Sequence, residues 1–241
     1  MSSDSFIHLQ VASGYSFRYG TATTSSLVER AAEMGMTGLA LTDRDGLAGA
    51  IRFAQLCKRN GIAPILGCQL AIRNHALPKP KTPARGGVQV DQRLPRVTLL
   101  ARGSTGWKSL VRLISTANAR AFENNERGKP VIDLELISHF SDGLVALHGP
   151  YSEIGIALSS RRPDQAMKIL QEWQGVFAND SLVIEVVSHR GPTGGNLFTT
   201  DIAARLLRFA REQNTKAVVS NAVRMLVGLR TMLTCSCEIG G

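Results

Sequence analysis

The stretch "TGLALTDRDGLAGAIRFAQLCKRNGIAPILGCQLAI", residues 37–72, predicts a strand, a helix and a second strand in direct succession. The apolar run at 37–43 ends in an acid, which is typical of a strand buried in a parallel sheet. The helical pattern at 46–61 stops at Gly61, and the second apolar run at 62–72 follows at once. Two strands joined by a crossover helix predict a parallel α/β sheet.

The same alternation continues on both sides of this stretch. Further strands are predicted at 6–12, 96–102, 143–149, 181–189 and 216–222. Helices are predicted at 21–36, about 104–120, 131–140, 151–158, 163–177 and 196–214. Seven strands alternating with helices form either a closed barrel or an open doubly wound sheet. No glycine-rich phosphate loop follows the first strand, which weighs against a dinucleotide-binding sheet.

Composition fits one large domain, because 241 residues with 44% hydrophobic side chains can bury a sizeable core. No apolar run approaches the ~18–20 residues of a membrane span, and the N-terminus lacks the pattern of a secretory signal. Four cysteines at this length do not indicate a disulfide framework: Cys57, Cys68, Cys235 and Cys237. We therefore expect a cytoplasmic protein with no membrane partner.

The chain is basic, with a net charge of +9. That charge is compatible with DNA as a partner through a basic surface. It is equally compatible with the arginine-rich codons of a high-GC genome and charges spread over solvated helix faces. Residues 73–95, rich in proline, glycine and basic side chains, are predicted to be a surface insertion, either solvated or in contact with DNA phosphate.

The chemistry of an α/β barrel lies at the carboxyl ends of its strands. In this chain those ends carry polar or charged residues where the apolar runs stop. They read "HLQVAS" (8–13), "TDRD" (42–45), "GCQ" (67–69), "LHGP" (147–150), "EVVSHRG" (185–191) and "SNAVR" (220–224). We expect a site to form where these ends meet.

Two segments carry a family resemblance: "FIHLQVASGYS" (6–16) and "LVERAAEMGMTGLALTDRDGLAGA" (27–50), followed by "GIAPILGCQL" (61–70). They resemble the N-terminal PHP domain (polymerase and histidinol phosphatase) of bacterial DNA polymerase III alpha subunits. That family reads approximately FVHLHVHSEYS, LVERAAELGMPALALTDHDNLYGAV and KAGIKPIIGCE. The resemblance is strongest to alpha subunits of high-GC Gram-positive bacteria, including error-prone ones. It implies an α/β fold, a distorted seven-stranded (β/α) TIM-like barrel of PHP type, over residues 1–224. Whether the C-terminal end of this barrel is complete or incomplete stays open.

The departures from this pattern fall on the positions that hold divalent metals in metal-intact relatives. The substituted positions are Gln10 and Ala12 for the HxH pair, Tyr19 for an acid, Arg44 for the histidine of TDHD, Gln69 for the glutamate of GCE, and Ala222 and Arg224 for an aspartate and a histidine. The candidates that remain are Asp43, Asp45, His148, Glu185 and His189, while His8 is interpreted as a strand residue rather than a ligand. We therefore expect a vestigial cleft with no cofactor in this chain, because alanine and guanidinium groups cannot ligate a cation.

Charge balance suggests a hypothesis about two of the substitutions. Arg44 and Arg224 would replace the missing metals by pairing with Asp43, Asp45 or Glu185, which would otherwise repel one another. The alternative is that both guanidinium groups point to solvent.

The tail "MLVGLRTMLTCSCEIGG" (225–241) does not continue the resembled pattern. A shift of reading frame near Arg224 would explain it, and a genuine short protein with its own terminus is the alternative. Translation of the downstream DNA in all frames separates the two.

Three functions remain open. The first is a non-catalytic structural domain of a DNA polymerase III alpha-like chain, whose partners are the remainder of that chain and replisome subunits. The second is a metal-dependent phosphoesterase or 3′–5′ exonuclease of the PHP superfamily. The third is a stand-alone nucleic-acid-binding module, whose binding would weaken steeply with salt.

Overall fold

A computed structural model describes residues 6–73, 94–123, 130–189 and 197–225. The strands are β1 (Gln10–Val11), β2 (Gly38–Arg44), β3 (Ala63–Ile72), β4 (Arg96–Ala101), β5 (Val131–Ile132), β6 (Leu144–His148), β7 (Leu182–Val186), β8 (Lys216–Val219) and β9 (Ala222–Val223). The helices are α1 (Thr24–Glu33), α2 (Ala50–Arg59), α3 (Gly103–Glu123), α4 (Leu134–Ser138), α5 (Glu153–Ser159), α6 (Pro163–Gln174) and α7 (Thr200–Glu212).

The strands form a curled sheet with the order β2-β3-β4-β6-β7-β8, and β5 adds to β3. Strands β1 and β9 pair in parallel beside it. A bridge between His8 and Leu39 connects the β1 side to β2, and the Ser220 amide donates to the Val186 carbonyl at 3.0 Å. The sheet thus curls toward closure, which confirms the predicted distorted TIM-like barrel.

The direction of β4 corrects the prediction of a uniformly parallel sheet. This strand runs antiparallel to both β3 and β6. Antiparallel neighbours need no crossover helix, and the segment 73–95 that joins β3 to β4 has no helical pattern. As a consequence, β4 begins at the edge of the sheet where its parallel neighbours end.

Three predicted boundaries were also wrong. The strand expected at 6–12 is reduced to β1, in part because the Val11 amide donates to the Thr42 hydroxyl at 2.9 Å instead of to a backbone carbonyl. The strand expected at 216–222 is split into β8 and β9. The helix expected at 131–140 starts as β5 before α4 begins.

The main core lies between the sheet and its outer helices. Its largest side chain is Trp173 of α6, which is fully buried against the helix-facing residues of β6 and β7. Along β7, Leu182 and Ile184 belong to this core. Because side chains alternate along a strand, Glu185 points to the opposite face, into the curl of the sheet. The site therefore lies on the inner face, which the packed outer layer supports.

Some predictions fall outside the described residues. These are most of the 73–95 insertion, Cys235, Cys237 and the tail beyond Met225. None of the helices within the described ranges is long and apolar enough to span a membrane.

Candidate functional site: a cationic cleft at the strand ends

Two of the substituted positions meet at the ends of adjacent strands. Arg44 and Gln69 are register partners on β2 and β3. The Arg44 Nε group donates a hydrogen bond of 2.7 Å to Gln69 Oε1. The resembled pattern has a histidine and a glutamate at these two positions. Here the Gln69 side-chain amide holds the Arg44 guanidinium group instead.

The ring of Tyr19 contacts two guanidinium groups. Its ring centroid is 3.2 Å from Arg44 Cζ and 4.3 Å from Arg224 Cζ. The Arg224 Cζ atom is also 5.2 Å from the Phe198 ring and 5.9 Å from the Tyr151 ring. Contacts of this kind are attractive because the ring face is electron-rich. The aromatic side chains thus hold both cations in the cleft without a counter-ion.

Burial lowers the pKa of Arg44 to about 10, with Tyr19 raising it, Arg96 and Arg224 lowering it and Asp45 raising it. The group is still a cation at neutral pH. Arg96 and Arg224 therefore lie close enough to Arg44 to disfavour its charged form.

Arg96 is a site residue that the sequence analysis missed. Its Nη1 and Nη2 groups donate to Asp45 Oδ1 and Oδ2 at 2.9 and 3.0 Å, and Nη1 also donates to the Gln69 carbonyl at 3.0 Å. In a parallel strand, the first residue would lie at the far edge of the sheet. The antiparallel direction of β4 brings it to the cleft instead, and the sequence carries no local signal of that direction.

Asp43 anchors a loop and does not face the cleft. It accepts hydrogen bonds from the Ser13 amide at 2.7 Å, the Ser13 hydroxyl at 2.8 Å and the Ser16 hydroxyl at 2.6 Å. The Arg44 amide in turn donates to the Ser16 hydroxyl at 2.9 Å. This buried network fixes the segment that carries Tyr19. The two serines are thus positioning residues, a role that their sequence context did not indicate.

Glu185 is fully buried, and within the described residues no cation pairs with its carboxylate. Burial raises the pKa of Glu185 to about 7, and the Ser220 side chain, close enough to interact with the carboxylate, opposes this shift by a smaller amount. An added Cβ on Gly149 would overlap Glu185 Oε2, so the carboxylate lies directly against the Gly149 backbone. The acid is therefore held by packing and not by a cation.

His189 lies at the rim of the cleft. Its Nε2 atom is 3.0 Å from Asn221 Oδ1, and its ring centroid is 4.6 Å from that of Phe198. Burial lowers the pKa of His189, with the Asn221 hydrogen bond opposing the shift and Arg224 adding to it. A neutral imidazole next to a guanidinium group is the expected state of this residue near pH 7.

His8 and His148 do not join the cleft. His8 lies in an apolar slot beside Leu27, Leu39 and Met36, and burial lowers its pKa to about 4. His148 lies on the helix-facing side, edge-on to Trp173 with ring centroids 4.4 Å apart, and burial lowers its pKa to about 3. None of the four imidazole nitrogens has a hydrogen-bond partner. Both histidines are core residues.

The predicted pairing of Arg44 and Arg224 with carboxylates was wrong. Over the described residues, neither guanidinium forms an ion pair within 4.0 Å of an acid. Asp45 pairs with Arg96 instead, and Asp43 is satisfied by serine donors. The alternative of two solvated arginines is wrong as well, because Arg224 Nε and Nη2 are buried and without partners.

The residues at the cleft do not fit a cluster of divalent metals. Gln10 is buried with Oε1 unpartnered, and Ala12 uses only its backbone, donating to the Val223 carbonyl at 3.0 Å. In the part of the chain that the structure describes, no group of three or more His, Cys, Asp or Glu side chains could hold a metal ion. The cations in this cleft belong to arginines.

The fold and the position of this cleft define a PHP-type barrel. The PHP domain family matches residues 8–189, and the chain belongs to that family. It is 28% identical over 233 residues to the DNA polymerase III subunit alpha of Saccharopolyspora erythraea, covering 90% of this chain and 19% of that protein. It is 31% identical over 188 residues to the same subunit of Vibrio cholerae, covering 78% of this chain and 15% of that protein.

An error-prone DNA polymerase of Cutibacterium acnes is 30% identical over 206 residues, covering 83% of this chain and 17% of that protein. The chain thus spans less than a fifth of the length of these relatives.

Solved structures share the fold at low sequence identity. An amidohydrolase from Chromobacterium violaceum, solved with bound sulfate and no metal, has a TM-score of 0.61 at 15% identity, covering 91% of this chain and 88% of that one. A candidate metal-dependent phosphoesterase from Bifidobacterium adolescentis has a TM-score of 0.60 at 13% identity, covering 92% and 88%. These similarities support the PHP barrel and say nothing about the chemistry of this cleft.

Proposed function

We propose that this chain is the PHP domain of a DNA polymerase III alpha-type protein and acts there as a non-catalytic structural domain. The relatives that it matches are DNA polymerase III alpha subunits and error-prone polymerases, which supports this context. The remainder of an alpha chain and the subunits that meet it are the proposed partners, in the cytoplasm.

One observation carries the non-catalytic part of the proposal: guanidinium groups occupy the cleft. Metal-dependent phosphoester hydrolysis uses bound cations to activate water and to neutralise the phosphate. Here Arg44 and Arg224 stack on Tyr19 within that cleft. A guanidinium group repels a divalent ion and has no lone pair with which to bind it. The absence of the resembled ligand side chains at these positions, together with the intact barrel, supports the proposed structural role.

Metal content and hydrolysis test this proposal together. The purified chain is dialysed against Mn²⁺ or Zn²⁺, its metal content is measured, and hydrolysis of bis-p-nitrophenyl phosphate is followed with and without EDTA. We expect no tightly held metal and no chelator-sensitive hydrolysis. Hydrolysis that EDTA abolishes and that His189→Ala also removes would instead favour the phosphoesterase function.

A variant that restores six of the seven resembled ligands, with Tyr19 unchanged, is the matched control. It combines Gln10→His, Ala12→His, Arg44→His, Gln69→Glu, Ala222→Asp and Arg224→His. If the barrel is otherwise intact, this variant gains metal that survives dialysis, whereas the wild-type chain does not. Equal metal content in the two proteins would contradict the proposed loss of the site.

A further inference from the structure

Three large apolar side chains are exposed at the amino end of α2 and on the loop beside it. Phe17 is 84% exposed, Ile51 59% and Tyr15 51%. Tyr15 packs on the backbone of Gly49, because a Cβ added to that glycine would lie 2.8 Å from Tyr15 Cδ2. Gly49 is the N-cap residue of α2 and Ile51 lies in its first turn, so the loop and the helix present one surface. We call Tyr15, Phe17 and Ile51 the apolar patch.

The loop is fixed on both sides of Phe17. Buried Asp43 accepts a hydrogen bond of 2.6 Å from the Ser16 hydroxyl, and the Tyr19 amide donates to the Ser16 carbonyl at 2.8 Å. Arg18 has a φ of 58°, a left-handed conformation that is unfavourable for a residue with a side chain. A loop held in this way, with its aromatic side chain in solvent, is preorganised to contact a partner.

Basic side chains adjoin the apolar patch. Lys58 and Arg59 follow Ile51 and Arg52 by seven residues, about two helical turns, so they extend the same exposed face of α2. No Asp or Glu occurs in α2. Four cations of this surface are exposed, and among the described residues none has an acid within 4.0 Å: Arg18, Arg52, Lys58 and Arg59. The surface therefore combines apolar anchor points with unneutralised positive charge.

This combination favours a peptide over the other occupants. Ile51 is aliphatic, and the Arg18 Cζ atom already lies 5.2 Å from the Phe17 ring centroid, so little aromatic surface remains for stacking a nucleic acid base. A second copy that used the same patch would bring like charges together across the interface, which is repulsive. An apolar anchor flanked by carboxylates complements both the rings and the cations.

We propose that the apolar patch docks a peptide segment of a protein partner, in which aromatic or aliphatic anchor side chains are flanked by Asp or Glu. The anchors cover Phe17 and Ile51 and supply most of the affinity, as buried apolar side chains do at the centre of an interface. The acids pair with Arg18 and with the basic face of α2, which makes the association depend on salt. This docking goes beyond the structural-domain function and does not depend on it, since it holds whether or not the cleft binds metal.

The test is a selection of a random dodecapeptide library, displayed on phage, against the full 241-residue chain. The double variant Phe17→Ser/Ile51→Ser is present in solution to remove peptides that bind elsewhere. We expect the enriched peptides to combine aromatic or aliphatic residues with net negative charge. By fluorescence anisotropy, their affinity should fall at least about tenfold in the double variant, and it should also fall as salt is raised.

Two variants are the matched controls. Phe122→Ser removes a phenylalanine that is 88% exposed on α3, outside the patch, and should leave binding unchanged. Arg208→Gln/Arg211→Gln removes two exposed charges from α7 and should weaken binding less than Arg52→Gln/Arg59→Gln, which removes the same charge from α2. All substituted side chains are exposed, and circular dichroism checks the fold. If the double variant does not fold, the single variants Phe17→Ser and Ile51→Ser are compared with Phe122→Ser.

Several outcomes would overturn the proposal. They are a selection without peptides that depend on Phe17 and Ile51, enriched peptides that are neutral or basic, and an equal loss in Phe122→Ser. A dimer in sedimentation velocity that the double variant abolishes would assign the patch to a second copy of the chain. Binding of an oligothymidylate that the double variant abolishes would assign it to nucleic acid. Failure of the structural-domain proposal shows separately, as chelator-sensitive hydrolysis with peptide docking intact.

Discussion

Replacing Glu185 by glutamine should change how the stability of the fold depends on pH. The carboxyl is fully buried, and burial raises its pKa from 4.5 to about 7. An acid with a raised folded pKa stabilises the fold at low pH, and that contribution is lost as pH rises from the unfolded value through the folded one. These two pKa values reduce the free energy of unfolding by about 1 kcal/mol at pH 5 and by about 3 kcal/mol at pH 8.

Glu185→Gln removes this titration, so its free energy of unfolding relative to the wild type should rise by about 2–3 kcal/mol between pH 5 and pH 8. Any fixed cost of burying the amide is the same at both pH values and cancels in this difference. Urea unfolding of both proteins from pH 5 to pH 8 measures it, and Glu172→Gln on the exposed face of α6 is the control that should show no such rise. Parallel stability curves for the wild type and Glu185→Gln would refute a buried, unpaired carboxyl.

Three further substitutions test the surroundings of the cleft. The wild type should lose about 2 kcal/mol of its free energy of unfolding at pH 5, because the pKa of His8 is about 4 in the folded chain and 6.5 in the unfolded chain, so that only the unfolded chain takes up the proton. His8→Leu should remove this loss. Thermal melts at pH 5 and pH 8 measure it, and an unchanged pH dependence would count against a buried neutral imidazole. Asp43→Ala should lower the free energy of unfolding by about 2–4 kcal/mol and release the loop at Ser13, since three buried donors lose their acceptor. Amide hydrogen exchange that stays slow in that loop would contradict the anchoring role. Gly149→Ala should cost about 1–3 kcal/mol through overlap with the Glu185 carboxylate, and urea unfolding should show most of the loss restored when Glu185→Ala is added.

The sequence, through its family resemblance, was sufficient to predict the barrel and the edge at which the arginine cleft lies. Strands and helices follow from local periodicity, and glycines with positive φ stop α1 and α2 just beyond their ends, at Gly35 and Gly61. Parallel strands place their carboxyl ends together, so Arg44, Gln69 and Arg224 could be assigned to one cleft before any coordinates were known. That Gln10 and Ala12 are not histidines could also be seen in the sequence, because it depends on residue type alone.

Only the tertiary structure decided which of these residues meet and what they touch. The antiparallel direction of β4 brings Arg96 to Asp45, and that ion pair removes the carboxylate that Arg44 was expected to use. The choice of strand face sends His148 to Trp173 in the outer core while Glu185 points inward. The direction of a strand and the face to which its side chains point depend on long-range pairing and packing. The local periodicity of the sequence does not report either of them. For the same reason, the stacking of Arg44 and Arg224 on Tyr19 could be found only once the chain was folded.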